Sequence, residues 1–523
     1  MKLLIVDFGS KYTHLIYHKL KYKLNCASKI IDHREFDPKV KDYSEYEWII
    51  LSGGPGSVED FKIDWTVEKD LEYVNVLGIC LGAQLLAKEQ GYDFEHTFNE
   101  YGYTNAVFTY DEYKSKVWMS HQDSIILNPQ KENKMDFICF DQDNDHPIAW
   151  SWKKSKKERC GLLFHPEVDQ TIDGVIIFQE ILDLNELIDY KDIDLLNTNI
   201  ITQLKHELKN RVKENDHVFL AISGDIESST LSIFLSQSLS ANQVHFYLVD
   251  NGLMKKNEVK EVYDVLSQIL PLNTLELIDA SELFLTRLNG IENQEYKIKT
   301  IEHIFIDLFS QKIKKVLEAN PLIEDGITYF AQATIWSDVI EYNKINQPIK
   351  FYNNIGGLHE KLPCTLLEPF RELYKDDIRM IAAHLALPDQ IKNHNSFEWA
   401  GLAIKILGSV SKDKIRIIRE VDLILTEYLK EKQFADNIWN KADVVLLPIK
   451  SINNNNQCDN RICEETIVIV MIDTDDGTNV KPSLVPIENL VEIGNQIQTR
   501  VKGVDRVVYN LSDTGAKHKN QTY

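Results

Sequence analysis

The chain has 523 residues, 43% of them hydrophobic and 26% charged, with 58 Lys and Arg against 80 Asp and Glu and a formal net charge of −22. That length accommodates two to four domains, each with its own core. So acidic a balance excludes a polyanion binder or a protein that sits on anionic membrane, and any nucleotide is expected as a small ligand in a local pocket.

No run approaches the roughly 18 apolar residues of a spanning helix. The opening Leu3-Leu4-Ile5-Val6 meets Asp7 and Gly9 too soon for the apolar core of a signal peptide. Seven cysteines, at 26, 80, 139, 160, 364, 458 and 463, form no CxxC pair. This argues against a disulfide framework or a zinc site and points to the cytoplasm.

In chain order, Leu3–Val6, Trp48–Leu51 and Val74–Leu77 are short apolar strands, each ending in a glycine-containing turn and alternating with helical stretches. That alternation predicts a parallel sheet with its site at the strand carboxyl ends. Cys80 follows the third strand in Gly78-Ile79-Cys80-Leu81-Gly82, directly before a helical stretch. A glycine-framed strand–turn–helix corner exposes a thiol among backbone N–H groups, and the helix N-terminus favours its thiolate. A lone cysteine is more often structural, but the frame favours a nucleophile.

His165 and Glu167 lie in Leu163-Phe164-His165-Pro166-Glu167. On an extended chain their side chains point the same way, so one can face the thiol while the other orients the imidazole, as a nucleophile–base–orienter set requires. The turn Ser52-Gly53-Gly54-Pro55-Gly56 offers oxyanion donors.

These segments, with Asp7-Phe8-Gly9-Ser10 and Trp118-Met119-Ser120-His121-Gln122-Asp123, resemble the class I (triad) glutamine amidotransferase domain. The resemblance covers about residues 1–190. It implies glutamine hydrolysis through a Cys80 thioester, with His165 and Glu167 completing the triad. Gly53, Gly54, Leu81, Gln84, His121 and Asp123 then belong to the oxyanion and glutamine-binding set.

The polar stretch from Asn185 to Asn199 is expected as a linker. A second α/β pattern follows: a strand at 218–222, a Ser/Gly turn, a helix from Ser229, a strand at 244–249 ending at Asp250, long helices over 255–320 and a strand at 327–330. From about 400 come a helix over 413–433, the Asn453–Asn456 loop, strands at 467–471 and 506–509, and a polar end from about Ser512. The run from Lys153 to Arg159 is expected as a solvated loop.

Ser223-Gly224-Asp225-Ile226-Glu227-Ser228-Ser229 places backbone N–H groups and hydroxyls at a helix N-terminus, an anion seat without the Gly-Lys-Ser/Thr ending of a Walker A loop. The stretch 218–523 resembles the ATP-pyrophosphatase and dimerisation domains of the GMP synthetase family. The resemblance rests on Leu248-Val249-Asp250-Asn251-Gly252, on 279–285, on 332–341, on Asn354-Ile355-Gly356-Gly357, on Leu367-Glu368-Pro369-Phe370-Arg371 and on Gly401-Leu402-Ala403.

The implied architecture is multi-domain α/β: an amidotransferase (1–190), an adenine-nucleotide α-hydrolase-like ATP-pyrophosphatase domain (197–392) and a small α+β dimerisation domain (393–523). The implied chemistry takes glutamine, ATP with Mg²⁺ and xanthosine monophosphate (XMP) to GMP in a homodimer, ATP being held by Ser223, Gly224, Asp225, Glu227, Ser228, Ser229 and Asp250. No metal ligand is assigned.

The chain departs from the family's S-G-G-x-D-S-S loop at Asp225, which stands for the second Gly and whose added charge and bulk oppose phosphate, and at Glu227, which stands for the family's Asp. It also departs at His394–Gly401, which replaces R-H-P-F-P-G-P-G, and at Lys297-Ile298-Lys299, aligned with the basic lid cluster. The family's C-terminal Lys and Glu have no counterpart from Ser512 on, Lys517 and Lys519 being only nearby. Three readings stay open: a GMP synthetase, an amidotransferase for another purine-like acceptor, and a pseudo-ligase that binds or regulates.

Overall fold

The computed structural model describes residues 1–61, 63–95, 100–109, 113–126, 135–143, 146–154, 156–184, 193–319, 326–339, 364–392, 400–432, 441–452, 463–474, 480–483 and 485–511. The chain divides into two compact units, Met1–Gln203 and Leu204–Tyr523.

The first unit is built on a nine-stranded sheet. Its strands are β1 (Lys2–Asp7), β2 (Ala27–Asp32), β3 (Trp48–Leu51), β4 (Asn75–Ile79), β6 (Glu100–Phe108), β7 (Lys114–His121), β9 (Asp136–Asp141), β10 (Pro147–Lys154) and β11 (Lys157–Leu162). Their order is β2-β1-β3-β4-β11-β10-β9-β6-β7. The short β5 (Asp93–Glu95) and β8 (Ser124–Ile126) pair separately. From β2 to β11 neighbours run parallel, and beyond β11 they are antiparallel. All four residues of β3 are buried, the continuous apolar run of a strand covered on both faces.

β4 and β11 are adjacent, with Ile79 opposite Leu162. The residues that follow each strand therefore emerge at one edge of the sheet, although 85 positions of sequence separate Cys80 from His165.

The run at 153–159 is the hairpin between β10 and β11, not a solvated loop. Arg159 is fully buried and donates to the carbonyls of Leu71 and Val74 at 2.9 and 2.7 Å. Carbonyls in the connection between the helix Val67–Asp70 and β4, which need donors, draw the guanidinium inward.

The second unit opens with a parallel five-stranded sheet in the order β14-β13-β12-β15-β16: β12 (His217–Ile222), β13 (Val244–Asp250), β14 (Leu275–Asp279), β15 (Thr328–Ala331) and β16 (Thr365–Leu367). β14 interrupts the stretch expected to be wholly helical, between the helices Glu258–Ile269 and Ser281–Leu288. The helix after β12 starts at Ile226, three residues before its expected start, because the Asp225 side chain caps it. The helix Ile193–Arg211 begins within the polar stretch expected as a linker.

A third sheet joins β17 (Lys441–Ile452), β18 (Cys463–Thr474), β19 (Val480–Pro482) and β20 (Val504–Tyr509), with β18 pairing all three others. Against it pack the helices Lys412–Glu431 and Ile487–Arg500. The first buries Ile415, Ile418, Val421, Leu425 and Tyr428, the three-and-four spacing of an amphipathic helix. Residues 354–358, 394–399, 453–456 and everything after Leu511, including Lys517 and Lys519, lie outside the described residues.

Candidate active site

At the end of β4 the backbone of Cys80 turns through φ +52°, ψ −111°, a strained conformation for a residue with a side chain. The helix Leu81–Glu89 starts at once. The strain sits on the cysteine itself, whereas the flanking glycines provide close approach. A Cβ on Gly82 would stand 2.3 Å from the Leu51 carbonyl oxygen, and one on Gly78 would stand 2.5 Å from Gly82. The corner is tied to its neighbours by Cys80 N–H to Leu162 O at 2.7 Å and Gly82 N–H to Ser52 O at 3.1 Å.

His165 and Glu167 follow β11 in a turn through Pro166, not on the extended strand expected. The turn brings them together all the same: Nδ1 of His165 lies 2.7 Å from Oε1 of Glu167, both side chains being almost fully buried. The loop is held by Thr171, whose Oγ1 donates to the His165 carbonyl at 2.6 Å and accepts from the Trp118 N–H at 3.0 Å. Tyr12 meets the His165 ring edge-on at 4.9 Å.

Burial opposes an imidazolium at His165. The Glu167 carboxylate and hydrogen bonds to Cys80 and Glu167 outweigh it and hold the group well above its ordinary pKa. By contrast, burial pushes the Cys139 and Cys160 thiols up to about 12, which leaves them inert.

Cys80 and His165 line a cavity of about 330 Å³ with Gly54, Leu81, Gln84, His121 and Asp123. Gly53 backs it: a Cβ there would be 3.3 Å from His165 Cε1 and 3.5 Å from Cys80 Cβ. The Cys80 thiol donates to the Ser120 carbonyl at 3.6 Å, and Gln84 Nε2 donates to the Asp123 carbonyl at 3.0 Å. His121 Nε2 lies 3.1 Å from Glu100 Oε2, an ion-pair distance without the alignment of a hydrogen bond. That contact, the largest influence on it, lowers the pKa of Glu100. Every glutaminase residue expected from sequence is thus at or beside one cavity.

Sequence reasoning missed Glu100, Tyr12, Tyr101 and Thr171. Only the register of β6 on β7, the return of the loop after β1 and, for Thr171, its bonds to His165 and Trp118 bring them in.

In the second unit, Ser223–Ser229 and Asp250 follow or end the adjacent strands β12 and β13. The loop bonds to itself. Asp225 Oδ1 accepts from the Ser228 N–H at 2.7 Å and Oδ2 from Ser223 Oγ at 2.7 Å. Glu227 pairs with Lys375 at 3.1 Å, and Asp250 Oδ1 accepts from the Gly252 N–H at 2.9 Å. Lys297 is no lid cation. It is fully buried on the helix Gln294–Ala319 and donates to the carbonyls of Ala403 and Ile406, and burial lowers its pKa to about 8. Among the described residues no cluster of three or more His, Cys, Asp or Glu forms a metal site.

The family model "Glutamine amidotransferase class-I" matches residues 4–184, and "GMP synthase C terminal domain" matches residues 427–517. The glutamine-hydrolysing GMP synthase of Thermotoga petrophila is 33% identical over 529 residues, covering 98% of this chain and 98% of its own length. The chain belongs to the glutamine-hydrolysing GMP synthase family. The Cytophaga hutchinsonii member is 32% identical over 98% of this chain and 97% of its own length. Membership therefore spans both units, and the protein is a mixed α/β amidotransferase–ligase. Among the described residues no helix is long and apolar enough to cross a membrane.

Proposed function

We propose that the chain hydrolyses glutamine in its first unit and spends the ammonia in its second to convert XMP to GMP. The carrying observation is the buried His165–Glu167 pair at 2.7 Å beside a cysteine held at positive φ, His165 lying three residues and Cys80 one residue beyond adjacent parallel strands.

Cys80 sulfur attacks the glutamine side-chain carbonyl carbon. The Gly54 and Leu81 N–H groups receive the oxyanion, Leu81 being the first helical residue, whose N–H has no intrahelical partner. His165, steered by Glu167, takes the thiol proton and returns it to the departing ammonia; water then cleaves the thioester to glutamate. Gln84, His121 and Asp123 orient the substrate.

In the second unit the C2 oxygen of XMP attacks the α-phosphorus of ATP, supplied as its magnesium complex, and pyrophosphate leaves. Ammonia then displaces AMP. Ser223, Gly224, Ser228, Ser229 and Asp250 face the polyphosphate, with Asp225 and Glu227 as the departing positions. Relatives matched over 98% of the chain favour this reading over another purine-like acceptor or a pseudo-ligase. The same kinship supports a cytoplasmic homodimer formed through the C-terminal domain.

The test is Cys80→Ala. Glutamine-driven GMP formation falls to background while ammonia-driven formation persists; if glutamine still drives the variant, the nucleophile is misassigned.

A further inference from the structure

The corner after β12 holds its own anion. The Asp225 carboxylate accepts from the Ser228 N–H and from the Ser223 hydroxyl, each at 2.7 Å. Ser223 is drawn in further: its N–H donates to Ser228 Oγ at 3.2 Å, and the two hydroxyls lie 2.9 Å apart. A phosphate oxygen entering this corner needs those same donors, and a donor hydrogen spent on a carboxylate is not available to a phosphate.

The neighbouring contacts reinforce the closure. Gly224 sits at φ +93°, and a Cβ there would be 2.9 Å from Val262, so the segment before Asp225 is packed in place. Lys375, a cation able to neutralise phosphate, is instead paired with Glu227 at 3.1 Å. Ser229 Oγ and Thr230 Oγ1 are fully buried and make no hydrogen bond among the described residues.

We propose that Asp225 is a resident occupant of the polyphosphate seat, so that ATP binds only by displacing its carboxylate from Ser223 and Ser228. The residue thereby sets the affinity of the synthetase half for nucleotide, a role distinct from capping the helix Ile226–Ser238. This inference rests on the proposed use of ATP at this loop. Displacement also explains how a loop with two carboxylates can still serve a polyanion: magnesium on the incoming polyphosphate offers the displaced carboxylate a new partner.

The experiment measures binding of magnesium–ATP, and separately of inorganic pyrophosphate, to the full chain by calorimetry, for wild type, Asp225→Gly and Asp225→Asn. Asp225→Gly removes the occupant and is expected to tighten both ligands at least tenfold. Asp225→Asn keeps an oxygen for the Ser228 N–H but removes the charge, and is expected to fall between. A residue that only caps the helix would lower the melting temperature on replacement and leave both affinities unchanged. Unchanged or weaker binding in Asp225→Asn, or in a folded Asp225→Gly, overturns the proposal.

Ammonia-driven pyrophosphate release with XMP separates the two readings. Release by wild type with affinities flat across the variants removes the occupant and leaves the proposed reaction standing. Absence of both binding and release in all three proteins removes both.

Discussion

Each unit contains a parallel strand that ends in a sharp turn and runs straight into a helix: β4 into Leu81–Glu89, and β12 into Ile226–Ser238. The connection is the same, though the cysteine turns at φ +52° and the aspartate stays extended at φ −71°, and the outcomes are opposite. At the first corner the side chain at the turn is a thiol lining a cavity, with an imidazole supplied from the next strand. At the second the side chain at the turn is a carboxylate that folds back onto the helix's own N–H. A strand–turn–helix corner is thus a generic holder of negative charge. Whether it serves chemistry depends on whether the residue at the turn points outward or satisfies the corner itself.

The sharpest way to break this comparison is to remove the imidazole's partner. Glu167→Gln keeps the shape but not the charge that holds His165 above its ordinary pKa. Glutamine-driven kcat is expected to fall by about 10²–10⁴, as for the loss of an orienting carboxylate in other triads. With the raised pKa lost, the imidazolium form should vanish at lower pH than in wild type, moving the alkaline limb of the kcat profile downward. A profile unchanged in position would show that Glu167 does not control the imidazole.

The first corner also depends on backbone touching backbone. Gly82→Ala puts a methyl 2.3 Å from the Leu51 carbonyl oxygen, where no flexible side chain can give way. We expect a loss of about 3 kcal/mol in the first unit, read as a lower melting temperature together with lost glutaminase activity. Gly91→Ala, with nothing within 4 Å but φ +85°, serves as the control for strain without collision and should cost about 1 kcal/mol. Equal effects would mean that close approach is not what the glycine supplies.

A subtler probe is Glu100→Gln. Glu100 faces the His121 ring at 3.1 Å from the opposite strand and touches no part of the triad. The expected result is a rise of about three- to tenfold in KM for glutamine with kcat nearly unchanged, the signature of lost ground-state positioning. A fall in kcat alone would move His121 into the chemistry.

What the sequence made legible follows from the same contrast. Cys80 could be read because a glycine on either side of a cysteine after an apolar strand leaves few other uses, and β3 because four buried apolar residues need two covered faces. The Asp225 substitution was visible as charge, but its direction was not: the sequence does not say that the carboxylate turns back to Ser223 and Ser228. Arg159 reads from sequence as part of a solvated charged run, and Lys297 by resemblance as a cation of the lid cluster. Both are buried because carbonyls from distant chain segments converge on them, at 71 and 74 for one and at 403 and 406 for the other. Tyr12 reaches the cavity only through a strand order that is out of sequence, and Glu100 meets His121 only through the register of β6 on β7. Local pattern shows which groups a segment carries, and long-range register decides what they meet.

Two imidazoles, one buried and one half-buried, extend the comparison to charge itself. A carboxylate favours the charged form of His165, whereas His245 on β13 is kept neutral. It stacks on Phe219 at 4.6 Å, and its Nε2 lies 2.9 Å from Nδ1 of His217. Burial, followed by the charge of His217, lowers its pKa from 6.5 to about 4. The sign follows from linkage. Above pH 6.5 both folded and unfolded imidazoles are neutral, and this group's contribution to stability is constant. Between pH 6.5 and about 4 the unfolded chain takes up the proton first, so stability falls as pH falls. Below that window both states are protonated and the slope ends. Partial exposure moderates the loss to about 1–3 kcal/mol. The check is urea unfolding of wild type and His245→Phe at pH 7 and pH 5. Carboxylates titrate in both proteins, so the histidine's share is the difference between their two drops. A larger drop for wild type supports a neutral ring in the fold, while equal drops would mean that His245 takes up its proton as readily folded as unfolded.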